Sequence, residues 1–149
     1  SYFLLVCKFT KKIYFCIQNF INMKTAYRCV ICLGSNLEGE YHLSAARKIL
    51  DNTFPCISWG QIIETPPEGT NNPSPYLNQA AVMKTDMSAE DLNSFFKEIE
   101  KKCGRTPDGK LRGIIPLDID LLVYDTILLK PADMEKNYVR QALASIRES

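Results

Sequence analysis

The chain has 149 residues, a length that suits one domain built on one core. With 46% apolar and 23% charged residues it has the balance of an ordinary soluble globular protein. Eighteen basic residues against seventeen acidic ones leave a formal charge of +1, which argues against a nucleic-acid partner held by a basic face. Any phosphate chemistry must come from local placement of Lys and Arg.

Residues 1–22 differ from the rest: they are aromatic, apolar and free of acids. Lys8, Lys11 and Lys12 cut this stretch into pieces too short to cross a bilayer. No small-residue cleavage site follows, so it does not read as a signal peptide. Met23 directly precedes a clean strand pattern. The expectation is that Met23 is the natural start and residues 1–22 are an extension outside the fold, with residues 23–149 forming the domain. The competing reading is an extra strand or amphipathic helix packed on the domain.

Tyr27 to Leu33 is a short apolar run rich in strand formers, closed by the turn signal Gly34-Ser35-Asn36. Leu43, Ala46, Ile49 and Leu50 fall at helical spacing and predict a helix over Tyr41 to Asn52. Ile57 to Glu64 reads as a second strand and Tyr76 to Lys84 as a third, separated by a Pro/Gly/Asn loop from Thr65 to Pro75. Ser88 and Asp91 form a capping pair for a second helix with Leu92, Phe95, Phe96, Ile99 and Cys103 on its apolar face, and Gly104 stops it. A polar loop from Arg105 to Gly113 leads into a fourth strand, Leu117 to Tyr124. Thr126 to Leu129 adds a short edge strand, and Asp133 to Glu148 reads as a terminal helix. The order is βαββαβ with a trailing helix. It predicts an α+β, ferredoxin-like antiparallel sheet with two helices on one face and an extra C-terminal helix.

Six scattered cysteines give no disulfide framework. Cys29 and Cys32 form a C-x-x-C, but they lie inside the apolar run Ala26 to Leu33, so the spacing predicts two core thiols rather than a redox pair. A single histidine, His42, argues against a His-based triad or metal cluster.

The sharpest chemical feature is Asp118-Ile119-Asp120. On a strand, residues i and i+2 share a face, so the two carboxylates point the same way while Leu117, Ile119 and Leu121 fill the other. Two acids this close repel each other, and a hard divalent cation relieves that repulsion. Magnesium suits such a pair, because it keeps waters and takes further oxygen ligands from phosphates. Exposed strand-end carboxylates are the plain alternative for the motif alone.

Taken in order, Gly34-Ser35-Asn36-Leu37, Glu64-Thr65-Pro66-Pro67, Tyr76-Leu77-Asn78, Glu100 with Gly104-Arg105, and Leu117-Asp118-Ile119-Asp120 resemble the hydroxymethyldihydropterin pyrophosphokinase family over about residues 24–125. The resemblance implies a cytoplasmic transferase of folate biosynthesis with small-molecule substrates and neither nucleic-acid nor membrane partners. It moves diphosphate from ATP, the co-substrate, to 6-hydroxymethyl-7,8-dihydropterin, releasing AMP. It implies two Mg2+ ions on Asp118 and Asp120, pterin contacts from Thr65, Pro66, Pro67, Tyr76 and Asn78, and nucleotide contacts from Glu100, Arg105, Lys110 and Arg112. Arg105 and Arg112 join the two aspartates as the catalytic set.

Three departures from the family pattern stand out. Ile115 occupies the place of an arginine three residues before the first metal aspartate, with Arg112 the candidate substitute. The loop Thr106 to Leu111 lacks a common tryptophan and has few cations. The family's C-terminal segment, a His-Pro followed by an arginine and a phenylalanine before a Pro-Leu stretch, has no match after Asp125. These features frame the alternative of a divergent member that binds pterin or Mg-nucleotide without efficient catalysis. A βαββαβ RNA-binding module is the rival from another class, and the aromatic run it needs is missing.

Overall fold

The computed structural model describes residues 2–22 and 26–146; Met23 lies outside the described residues. Its elements are α1 (Tyr2–Asn22), β1 (Tyr27–Ser35), α2 (Gly39–Thr53), β2 (Ile57–Thr65), β3 (Tyr76–Thr85), α3 (Ala89–Lys102), α4 (Pro107–Leu111), β4 (Asp118–Tyr124), β5 (Ile127–Leu128), α5 (Pro131–Met134) and α6 (Asn137–Ala144). The strands form one antiparallel sheet in the order β2-β3-β1-β4-β5. With α2 and α3 as the crossovers this is the expected ferredoxin-like βαββαβ arrangement.

Apolar residues alternate across the central strand, so the sheet has two buried faces. Cys29, Ile31 and Leu33 of β1 pack with Ala81, Met83, Ile119 and Leu121 beneath α2 and α3, the main core. Val30 and Cys32 face the other way and meet Leu122 and Val139, a second, smaller core under α6. The C-terminal helix therefore covers the face opposite the two crossover helices. That is the face an RNA-binding module of this topology presents to its ligand, and here it is occupied.

Gly34 and Ser35, read from the sequence as a turn, are instead the last two residues of β1. Gly34 pairs with both Asn78 and Asp118, and Ser35 pairs with Leu77, so neighbours on β3 and β4 keep the chain extended. The polar loop after Arg105 contains an unexpected helix, α4. Thr106 caps it by accepting from Gly109 N at 3.0 Å, and Pro107 stands at its first turn. The expected single terminal helix is two, α5 and α6, broken at Glu135 and Lys136. Lys136 has extended backbone (φ −65, ψ 134), and the break turns Tyr138 and Val139 onto the sheet. Residues 147–149, where that helix was expected to end, lie outside the described residues. No helix among the described residues is long and apolar enough to cross a membrane.

Cys29 and Cys32 are buried on β1, as the apolar run predicted. Burial pushes the Cys29 thiol up to about 11 and the Cys32 thiol up to about 12. Since the thiolate is the reactive form, neither is a nucleophile near neutral pH. Alkylation with iodoacetamide at pH 8, read by peptide mass spectrometry, should leave both thiols unmodified in the native protein and modify both in urea. Native labelling of either residue would contradict this burial.

Candidate functional site

Asp118 and Asp120 project from the start of β4 on the α6 side of the sheet, opposite Gly34 and Cys32 of β1. Leu117, Ile119 and Leu121 are buried in the main core, so the alternation read from the sequence holds. Burial and the neighbouring Asp118 raise the Asp120 carboxyl above the usual range, and Lys130 opposes that shift.

Each acid has a cation. Arg105 Nη1 donates to Asp118 Oδ1 at 2.6 Å, to Glu100 Oε2 at 3.0 Å and to Leu117 O at 3.2 Å. Glu100 is only 6% exposed, and its Oε2 also accepts from Ile119 N at 3.2 Å. Lys130 Nζ donates to Asp120 Oδ1. Burial alone would weaken the charge on Arg105, but Asp118, Glu100 and Asp120 outweigh it and hold the guanidinium protonated.

Arg105 reaches this position because of how α3 ends. Gly104 takes φ +94, Gly104 N donates to Lys101 O at 3.0 Å, and Arg105 N donates to Glu100 O at 3.1 Å. This paired closure of a helix on a left-handed glycine turns the next residue back across the helix end. Glu100 and Arg105, five residues apart, are thereby brought side to side at the foot of β4.

Two cavities meet at the acid pair. One, of about 300 Å³, has Cys32, Leu33 and Gly34 on its floor and Tyr76 and Tyr138 among its walls, with Thr65, Pro66 and Asn78 at its side. Asn78 Nδ2 donates to Ile63 O at 3.1 Å and to Thr65 Oγ1 at 2.9 Å, so the group it offers the cavity is its carbonyl oxygen. The other, of about 470 Å³, is lined by Lys97, Lys101, Arg105, Lys110 and Lys130 together with Glu100. Asp118, Asp120 and Arg105 line both. One side therefore suits a flat, hydrogen-bonding ring between aromatic walls, and the other a polyphosphate.

Of the residues expected from the sequence, Thr65, Pro66, Tyr76, Asn78, Glu100, Arg105, Lys110, Asp118 and Asp120 converge on these two cavities. Pro67 does not line either. Arg112 stands apart, paired with Asp108 at 2.9 Å, and lines a third cavity with Gly69, Thr70 and Ile115. Its side chain does not reach the acid pair in place of the cation that Ile115 lacks. The loop leading to β4 is clasped instead by Asn36, whose Nδ2 donates to Gly113 O and whose Oδ1 accepts from Ile115 N, both at 2.7 Å.

Sequence reasoning missed Lys97, Lys101, Lys130, Asp133, Lys136 and Tyr138. Lys130 directly precedes Pro131, a helix-start signal that marks a fixed point in the chain. Tyr138 falls inside the expected terminal helix from Asp133 to Glu148, and only the break at Lys136 aims it at the cavity.

The acid pair fits a magnesium site of a particular kind. Among the described residues no three or more His, Cys, Asp or Glu side chains converge on a point. The protein offers two carboxylates and no closed cage, a donor set that leaves positions for water and phosphate oxygens.

The family of 7,8-dihydro-6-hydroxymethylpterin-pyrophosphokinases matches residues 30–148 of the chain. The chain belongs to this family. A 2-amino-4-hydroxy-6-hydroxymethyldihydropteridine pyrophosphokinase of Porphyromonas gingivalis is 28% identical over 130 residues, covering 78% of this chain and 88% of that protein. A folate synthesis bifunctional protein of Arabidopsis thaliana is 32% identical over 97 residues, 64% of this chain and 20% of the longer protein. A folic acid synthesis protein of Dictyostelium discoideum is 27% identical over 107 residues, 70% of this chain and 16% of its own. The family match corrects one expectation. It continues past Asp125 through α5 and α6, so the terminal segment is part of the family's domain.

The helix closure at Gly104 is open to direct measurement. Nothing lies within 4 Å of a Cβ placed there, so Gly104→Ala adds left-handed strain without a clash. It should cost about 1 kcal/mol of stability in urea denaturation. An unchanged midpoint would show that the glycine is not required for this turn.

Proposed function

We propose that this chain transfers diphosphate from ATP to 6-hydroxymethyl-7,8-dihydropterin through magnesium held by Asp118 and Asp120, giving AMP and the pterin diphosphate. The observation that carries the reading is the acid pair at the seam of two unlike cavities, one walled by Tyr76 and Tyr138 and the other by five cations. The pterin hydroxymethyl oxygen attacks the β-phosphorus, the bond from that phosphorus to the α-phosphate oxygen breaks, and the hydroxyl proton is lost. Asp118 and Asp120 would hold the magnesium, which would supply charge neutralisation at the phosphates.

The chain's own residues supply position and charge. Tyr76 and Tyr138 sandwich the ring, and the Asn78 carbonyl accepts from its N–H edge. Lys97, Lys101 and Lys110 face the triphosphate, and Arg105 presents a fixed guanidinium beside Asp118 where charge develops. Glu100 orients that guanidinium and touches the nucleotide pocket. We place the reaction in the cytoplasm, the setting that the family resemblance implies.

One observation favours a second reading, binding with little turnover. Ile115 supplies no cation and Arg112 is directed to Asp108. Nucleotide and pterin binding without AMP would select it.

In an assay of AMP formation from ATP and the hydroxymethyldihydropterin, the wild type should be active with magnesium and silent with a chelator. Asp118→Asn and Asp120→Asn should each lose about 100-fold or more, on the order of 3 kcal/mol of transition-state stabilisation. Near-normal turnover in either variant would remove that residue from the metal site.

Residues 1–22 stand outside the catalytic fold in this reading. The family match begins only at Val30, and Tyr2, Phe3, Leu5 and Phe9 of α1 are exposed. Deleting residues 1–22 should preserve AMP formation and move the melting temperature by less than about 4 °C. A larger fall would place α1 in the folded unit, where Cys16 Sγ already donates to Pro55 O at 2.6 Å.

A further inference from the structure

The two cations at the acid pair are held in different ways. Arg105 is tied to Asp118, Glu100 and the Leu117 carbonyl at once, so it cannot leave one without giving up the others. Lys130 has Asp120 as its side-chain hydrogen-bond partner among the described residues, and its side chain is 44% exposed. Its backbone is fixed: Lys130 N donates to Leu122 O at 3.2 Å, Met134 N donates to Lys130 O at 3.1 Å, and Pro131 follows. The Cα is therefore anchored beside β4, while a flexible stem carries the ammonium over the cationic cavity that it helps to line.

We infer that Lys130 is a resident counter-ion that occupies the divalent-cation position on Asp120 in the nucleotide-free protein and is displaced by the ion into the phosphate cavity. This rests on the reading of Asp118 and Asp120 as the magnesium site. A magnesium ion on Asp120 repels an ammonium held against the same carboxylate and neutralises the charge that holds it, so metal entry weakens the ion pair that has the fewest other ties. Arg105, held by three acceptors, stays; Lys130, held by one, leaves. The released ammonium then faces the same cavity as Lys97, Lys101 and Lys110, where phosphate oxygens replace its lost partner. The protein thus favours the ion that arrives with a nucleotide over the bare ion, because the nucleotide offers Lys130 phosphate oxygens in place of Asp120, while Asp133, the other acid near it, is already paired with Lys136.

The test measures free Mn2+, a paramagnetic stand-in for Mg2+, by electron paramagnetic resonance, with and without a non-hydrolysable ATP analogue. Without nucleotide, Lys130→Met should bind Mn2+ about fivefold more tightly than wild type, the size expected for losing one half-exposed competing charge. Lys130→Arg, which keeps the charge, should bind no more tightly than wild type. With the analogue the order should reverse, Lys130→Met binding the Mn-nucleotide more weakly than wild type. Thermal melts of each variant check that the fold is intact. Bare-ion affinity in Lys130→Met equal to or below wild type would overturn the inference, as would the absence of any reversal with nucleotide. Failure of the underlying metal assignment looks different: Mn2+ binding in wild type and Lys130→Met would then be insensitive to adding Asp120→Asn.

Discussion

Two carboxylates presented from alternate residues of one strand, half-buried and side by side, demand positive charge. Burial and mutual repulsion both work against the second ionisation, which is why the Asp120 carboxyl lies above its usual range. Much of the surrounding structure answers that demand. Glu100, buried at the end of α3, gathers Arg105 and the amide of Ile119 on one oxygen. Ile119 stands between the two acids, so the same carboxylate that orients the guanidinium also ties the helix end to the strand carrying them. A rigid set of Asp118, Arg105, Glu100 and the β4 backbone results, with Asp120 left to a looser partner.

The sheet order explains why this set faces open space. β4 lies beside the central strand β1, with only the two-residue β5 beyond it. Further along the same face, Leu122 and Cys32 are roofed by Val139 of α6, but at the Asp118 end the facing residue is Gly34, which contributes no side chain. The glycine thus leaves a floor on which a ring can lie between Tyr76 and Tyr138.

The strands and both crossover helices were legible in the sequence because their signals are local: alternation for β4, a Ser88–Asp91 cap for α3, a Pro/Gly-rich loop between β2 and β3. The acid pair was legible for the same reason, since a two-residue period fixes which side chains share a face. What escaped depends on long-range packing. Gly34 and Ser35 resemble a turn in isolation and stay extended only because β3 and β4 flank them. The break at Lys136 interrupts good helical spacing, and the gain is burial of Val139 against Val30 and Leu122, which no local pattern reveals. Lys130 is ten residues from its carboxylate in sequence, and its contact exists only because the β4–β5 turn folds the chain back. The short helix α4 was readable after all, since Thr106-Pro107 is a cap followed by a first-turn proline.

The division into two cavities also determines what the isoleucine at position 115 alters. Ile115 lines the ring-side cavity and the third cavity, but not the one that holds the five cations. In the proposed reaction, ground-state attraction of a triphosphate would therefore come from Lys97, Lys101, Arg105, Lys110 and Lys130 without help from position 115. A guanidinium there would lie on the ring side of the acid pair, outside the cavity lined by the five cations. In the proposed reaction it would act on the group being transferred, and an interaction made only in the transition state affects turnover rather than binding. In the proposed reaction the two would separate: nucleotide affinity would rest on the five cations, and the rate would rest more heavily on Arg105, which lines both cavities.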